Sequence, residues 1–135
     1  MTGRFISRLK SNLTIWLKLT RYEIEGNSMS PTLRAGDWIL VEKVKASQIE
    51  EGFISSLLGE IVVVEVNGLR QIKRLVRLEK GELGKSKMFL LGDNSEASTD
   101  SRHYGALELD SLRGVFYRRY GKANEKRSKK NEKFH

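Results

Sequence analysis

The Asn67-Gly68 pair constrains this chain more than any other feature of it. It lies between two runs rich in β-branched residues, Glu60–Val66 and Leu69–Leu78. Both central residues of a type I′ turn need positive φ, and Asn-Gly tolerates that best, so the pair reads as a two-residue hairpin loop. Such a loop fixes the register: Val66 faces Leu69, Val64 faces Gln71, Val62 faces Lys73 and Glu60 faces Leu75, all on one sheet face by the period of two. Lys73 is thereby expected among Val62, Val64, Val66, Leu69 and Leu75. A lysine on an otherwise apolar face is unusual, because burying its ammonium is costly and depresses its pKa. The bland alternative is an edge-strand lysine that snorkels to water.

Further short β runs are expected at Tyr22–Glu25, Asp37–Val44, Lys87–Leu91 and Leu112–Tyr120, punctuated by Gly, Asn and Ser. The expected fold is mostly β, a compact domain over residues 22–120. Ahead of it, Phe5, Ile6, Leu9, Leu13, Trp16 and Leu17 recur at helical spacing with Arg4, Arg8, Lys10 and Lys18 largely off that stripe. Residues 1–21 therefore read as a basic amphipathic helix that packs on the body or lies on an anionic membrane surface. Residues 121–135 have almost no apolar content and read as a disordered basic tail.

A length of 135 residues with 39% apolar content fits one small domain. The absence of Cys and the presence of only His103 and His135 exclude iron–sulfur clusters, disulfides, Cys nucleophiles and zinc sites built from Cys and His. The chemistry must use hydroxyls, carboxylates and amines. The formal net charge of +8 sits at the ends: residues 22–112 carry eleven basic and fifteen acidic side chains, against five and none before them and nine and two after. A nucleic-acid binder usually displays its cations on the folded surface among aromatics, which makes nucleic acid a secondary reading here. No apolar run approaches the ~20 residues that cross a bilayer, and no cleavable secretory signal is recognisable, so the expected location is the cytoplasm.

Two polar segments are candidates for chemistry. Glu25-Gly26-Asn27-Ser28-Met29-Ser30-Pro31-Thr32-Leu33 can hold the Ser28 Oγ on a tight bend with its own N–H free, although a plain turn has the same composition. Serine needs a base, and the bases within the body are a desolvated lysine, His103 or a carboxylate. A Ser–Lys pair is one attested form of that logic. The second segment, Leu91 to Gly105, is rich in short hydroxyl and carboxyl side chains that can satisfy a buried amine, or simply form an exposed loop.

The segments Gly26-Asn27-Ser28-Met29-Ser30-Pro31, Gly36-Asp37-Trp38-Ile39, Ile72-Lys73-Arg74-Leu75 and Gly92-Asp93-Asn94 through Ser98-Thr99-Asp100-Ser101-Arg102 occur in the order and approximate spacing of the signal peptidase I (leader peptidase) family. Over residues 22–118 the chain resembles those Ser–Lys proteases. The variant Ala97–Arg102, with the small size and missing anchor, looks most like the branch that matures nickel-type superoxide dismutase. The resemblance implies that Ser28 is the acylating nucleophile and Lys73 the neutral general base. It implies further that Ser98 hydrogen-bonds the Lys73 amine, that Asp100 pairs with Arg102, and that Asp93 and Arg74 brace the site. The Ser28 N–H would contribute to the oxyanion hole; some relatives add a hydroxyl two residues before the nucleophile, where this chain has Gly26.

The implied partner is a precursor protein whose propeptide or leader is removed, and no cofactor is implied. Other readings are a general signal peptidase working at the membrane surface, a LexA-like self-cleaving regulator, and a non-enzymatic basic adaptor. The last explains the ends of the chain but not the hydroxyl–lysine constellation. His103 is expected to make a local loop contact, so near Asp100 in sequence, and Lys73 is the better base.

Overall fold

In a computed structural model, residues 18–122 are described; the helix expected within residues 1–21 and the tail expected over residues 121–135 lie outside them in large part, and Gly121, placed in that tail, ends the last strand. Seven strands form one antiparallel sheet in the order β1-β2-β7-β3-β4-β5-β6. They are β1 Leu19–Glu23, β2 Trp38–Lys43, β3 Ile61–Val66, β4 Leu69–Lys80, β5 Ser86–Leu91, β6 Leu107–Glu108 and β7 Leu112–Gly121. Two short helices, α1 Glu51–Ser55 and α2 Ser101–Tyr104, lie between strands. Among the described residues no helix is long and apolar enough to cross a membrane.

The hairpin forms as its turn dictates. Asn67 and Gly68 take φ of 51° and 80°, and Val66 pairs with Leu69, Val64 with Gln71 and Val62 with Lys73. Beyond the ladder, the Leu75 N–H donates to the Glu60 carbonyl at 2.9 Å. The apolar surroundings of Lys73 are narrower than the alternation suggested. Val62, Val64 and Leu75 are buried, whereas Leu69, next to the turn, is 69% exposed.

β3 reads Ile61-Val62-Val63-Val64 because both its faces are covered, as a continuous apolar run requires. Val62 and Val64 join Leu75, Met88, Leu90 and Val115 in one core cluster. Ile61 and Val63 join Ile24, Met29, Leu33, Ile39 and Val41 in a second. Register shifts in β2–β7, β3–β7 and β4–β5 bend the sheet. Tyr22 of β1 and Arg70 of β4, far apart in strand order, meet: an Arg70 Nη1 N–H donates to the Tyr22 hydroxyl.

One boundary departs from the sequence pattern. Leu19–Arg21, grouped with the N-terminal helix, are strand: they pair with Glu42, Val41 and Leu40 of β2. Pairing covers the free edge of β2 and satisfies backbone groups that an isolated helical turn there would leave to water.

Candidate active site

The Ser28 turn is held from both sides. Met29 and Leu33, which flank it, are buried in the second core cluster. The Ser30 N–H donates to the Asn27 carbonyl at 3.1 Å and the Leu33 N–H to the Met29 carbonyl at 2.9 Å. Across from it runs the loop after β5: the Asn94 N–H donates to the Ser28 carbonyl at 2.8 Å, and the Asn94 side-chain amide to the Asn27 carbonyl at 3.1 Å. Ser28 is half-buried. Its N–H makes no hydrogen bond among the described residues, so that donor is open.

Gly92 is where the two segments touch. A Cβ there would stand 2.2 Å from the Ser98 Oγ and 2.6 Å from the Ser28 carbonyl oxygen, closer than atoms can approach. Gly92→Ala is therefore expected to push the loop off the Ser28 turn. It should destabilise the fold by about 1–3 kcal/mol in urea unfolding, the usual cost of overpacking, and cut activity by more than its effect on folding explains.

Lys73 is only 5% exposed. It is not the snorkelling edge lysine, and burial pushes its pKa below the ordinary lysine value while the Asp100 charge pulls it partway back. Ser28 and Lys73 line the same cavity of about 510 Å³. Its walls are the chain leaving β1, from Tyr22 to Asn27, and Arg70 to Lys73 of β4, with Ile39 and Val63 beneath and Ala97 and Thr99 at one side.

Asp100 is fully buried and has a full set of donors. The Ser98 hydroxyl reaches its Oδ2 at 2.8 Å, the Gly92 N–H the same oxygen at 3.0 Å, and the Arg102 N–H its Oδ1 at 3.1 Å. The Arg102 guanidinium forks onto both oxygens at 2.9 and 3.0 Å. Burial alone would raise the Asp100 pKa, but these donors, Arg102 foremost, outweigh it and hold the carboxyl well below the usual range. Asp100 is thus a fixed negative charge beside the Lys73 amine.

The Asp100–Arg102 pairing agrees with the implied arrangement, and the Ser98 contact does not. The Ser98 hydroxyl donates to Asp100, and the Lys73 amine makes no hydrogen bond among the described residues. An ionised carboxylate two residues away is the stronger acceptor for that hydroxyl proton. The Ser98 lone pairs are still free to accept from an ammonium.

Arg74 and Asp93 form a bidentate pair, Nε to Oδ1 at 2.9 Å and Nη2 to Oδ2 at 2.8 Å. The hydrogen bonds from Arg74 and Thr32 lower the Asp93 pKa against the opposing effect of burial. A further Arg74 N–H donates to the Gly59 carbonyl at 2.8 Å, and the Thr32 hydroxyl to Asp93 at 2.6 Å. The pair ties β4 and the loop after β5 to the Ser28 turn without entering the cavity wall. His103 makes the expected local contact: its Nδ1 accepts the Asp100 N–H at 3.2 Å, and its side chain is 53% exposed.

Three contacts had no sequence signal. Tyr104 donates to the Gln71 side chain at 3.2 Å, with its hydroxyl pushed up to about 12 by burial and the Asp100 charge. The Ser101 hydroxyl accepts the Leu90 N–H at 2.9 Å, and Arg70 bonds Tyr22 across the cavity mouth. Partners this remote in sequence carry no spacing rule.

Two strand edges that are unpaired among the described residues border the cavity. The Ile24 N–H and carbonyl bond Asp37 and Gly36, each at 2.8 Å, so the backbone groups of Glu23 and Glu25 turn the other way, along the free edge of β1. On β4, Leu69–Lys73 pair with β3 alone, because β5 joins only at Arg74.

A β domain that sets a turn-held serine and a desolvated lysine on one cavity between open strand edges has the make-up of a serine peptidase. The chain belongs to the Peptidase S24-like family, which matches residues 10–101. No curated protein matches it.

Proposed function

We propose that this chain is a Ser–Lys endopeptidase that removes an N-terminal propeptide or leader from a precursor protein, acting through Ser28 and Lys73. The observation that carries the reading is the shared cavity: the half-buried Ser28 and the buried Lys73, whose amine has no hydrogen-bond partner among the described residues, line the same space. An extended substrate fits between the edges of β1 and β4, where main-chain pairing supplies affinity and alternate side chains enter the cavity.

In the proposed reaction the neutral Lys73 amine takes the Ser28 hydroxyl proton as Oγ attacks the scissile carbonyl. The tetrahedral oxyanion forms facing the open Ser28 N–H; Gly26 offers no side-chain donor there. Collapse breaks the C–N bond, and the Lys73 ammonium returns its proton to the leaving amine. Lys73, neutral again, deprotonates a water that attacks the acyl-serine, and proton return to Ser28 Oγ releases the acid product. Asp100 stays ionised throughout and raises the Lys73 pKa against the larger, opposing effect of burial. Ser98 and Arg102 hold Asp100, and the Asp93–Arg74 pair braces the serine turn against β4.

The Ala97–Arg102 variant supports a nickel superoxide dismutase precursor as substrate. Incubation of that precursor with the full chain, followed by mass spectrometry, is expected to show a single cut that removes a short N-terminal extension, needing no added metal and absent with Ser28→Ala. An untouched precursor alongside a trimmed secretory leader ending in small residues would instead support the general leader-peptidase reading. The Peptidase S24-like match favours one second reading, cleavage of the chain itself. Loss of mass from the purified chain on standing, blocked by Ser28→Ala and independent of concentration, would establish it.

A further inference from the structure

The cleft does not share the charge of the chain. The formal net charge is +8, yet the strand leading into the Ser28 turn brings Glu23 and Glu25 to the cavity. Both are exposed, and neither forms an ion pair among the described residues. By contrast Arg74, Arg102, Arg113 and Arg119 each hold a carboxylate. Ile24, between the two glutamates, is buried in the second core cluster. The period of two therefore sets Glu23 and Glu25 on the opposite face of the strand.

A peptide added to this edge puts every second side chain beside Glu23 and Glu25 and the intervening ones over Ile24, Ile39 and Val63. Directly opposed cross-strand neighbours attract when oppositely charged and repel when alike. The cation on the far wall, Arg70, is bonded to the Tyr22 hydroxyl and by register shares the face of Ile72, so it does not neighbour those side chains. The cleft is also built independently of the glutamates, since the buried Lys73 amine lines it without a hydrogen-bond partner among the described residues.

We infer that Glu23 and Glu25 are specificity determinants that select a substrate segment in which basic side chains alternate with apolar ones. The inference rests on the peptidase reading and names the substrate class for it. The test uses the full chain carrying Ser28→Ala and two fluorescently labelled peptides of equal length, one alternating Ala and Lys, the other Ala and Glu. Anisotropy titration at low salt is expected to show the Lys peptide binding about 10-fold more tightly, a preference that shrinks at 1 M salt. Adding Glu23→Gln and Glu25→Gln, exposed changes that leave the core intact, should bring the two peptides within about 2-fold, and Glu23→Lys with Glu25→Lys should invert their order. Equal binding, no binding of either peptide, or a preference that survives the double Gln change would overturn the inference. Mass spectrometry of the same peptides with the unmodified chain separates the two readings. Cleavage of both at equal kcat/KM would overturn the selectivity and keep the peptidase; charge-selective binding with no cleavage would count against the peptidase and keep the selectivity.

Discussion

Ser28→Ala and Lys73→Ala are each expected to lower kcat/KM by about 10⁴-fold or more while leaving the fold intact, because the proposed nucleophile and base would act as a unit and either loss would disable both. Ser28 is half-buried in a turn whose hydrogen bonds run through the backbone of Asn27, Ser28 and Met29, so removal of its hydroxyl breaks none of them. Lys73→Ala opens space beside Val62 and Leu75 and costs some packing, but it also removes a buried amine that has no hydrogen-bond partner among the described residues. Lys73→Met keeps the volume and should be as inactive as Lys73→Ala, at near-normal stability. His103→Ala should keep most of the activity, since His103 contacts only the Asp100 region and is half exposed. Activity retained by Lys73→Met and lost in His103→Ala would transfer the base to the histidine.

The second large effect concerns pH and Asp100. In the proposed reaction Lys73 acts as base only when neutral, so kcat/KM should rise as pH climbs through its depressed pKa. The Asp100 charge raises that pKa against burial. Asp100→Asn should accordingly move the rising limb to lower pH, which a purely structural role would not do. The same change leaves the Gly92 N–H, the Ser98 hydroxyl and the Arg102 fork with a poorer acceptor, so a loss of about 1–3 kcal/mol in stability at neutral pH is expected. The sign with pH follows from the depressed folded-state pKa of Asp100. Its contribution is fully present above the unfolded carboxyl pKa of about 4 and is lost as pH falls toward the folded value. Wild type and Asp100→Asn should therefore converge in stability in strong acid.

Much of the sheet was legible because its signals are local. Asn67-Gly68 set the register that places Lys73 opposite Val62. The start of β1 was not legible, since Leu19-Thr20-Arg21 shows no alternation of its own and becomes strand by pairing with β2. α1 and α2 are too short for a helical period to register, and the two residues of β6 are defined by Lys87 and Met88 opposite them. At the site, the turn and the sheet register pointed to Ser28 and Lys73, while Ser98, Asp93, Arg74, Asp100 and Arg102 were implied only by the family resemblance. What they did not carry was which acceptor the Ser98 proton would choose, or that Gly92 must lack a side chain because Ser98 and the Ser28 carbonyl converge on it. Whether Lys73 was buried or snorkelling depended on tertiary packing that its own strand does not encode.

The central claim is that Lys73 is neutral and basic beside Ser28 at working pH. It is tested most directly by titrating the Lys73 side chain in the full Ser28→Ala chain by heteronuclear NMR, with lysines labelled at Cε and the signal assigned by its loss in Lys73→Met. Lys73 is expected to titrate well below the ~10.4 of a solvated lysine, and the rising limb of kcat/KM in the active chain to track that value. A Lys73 signal that titrates with the exposed lysines, at or above ~10.4, would contradict the account.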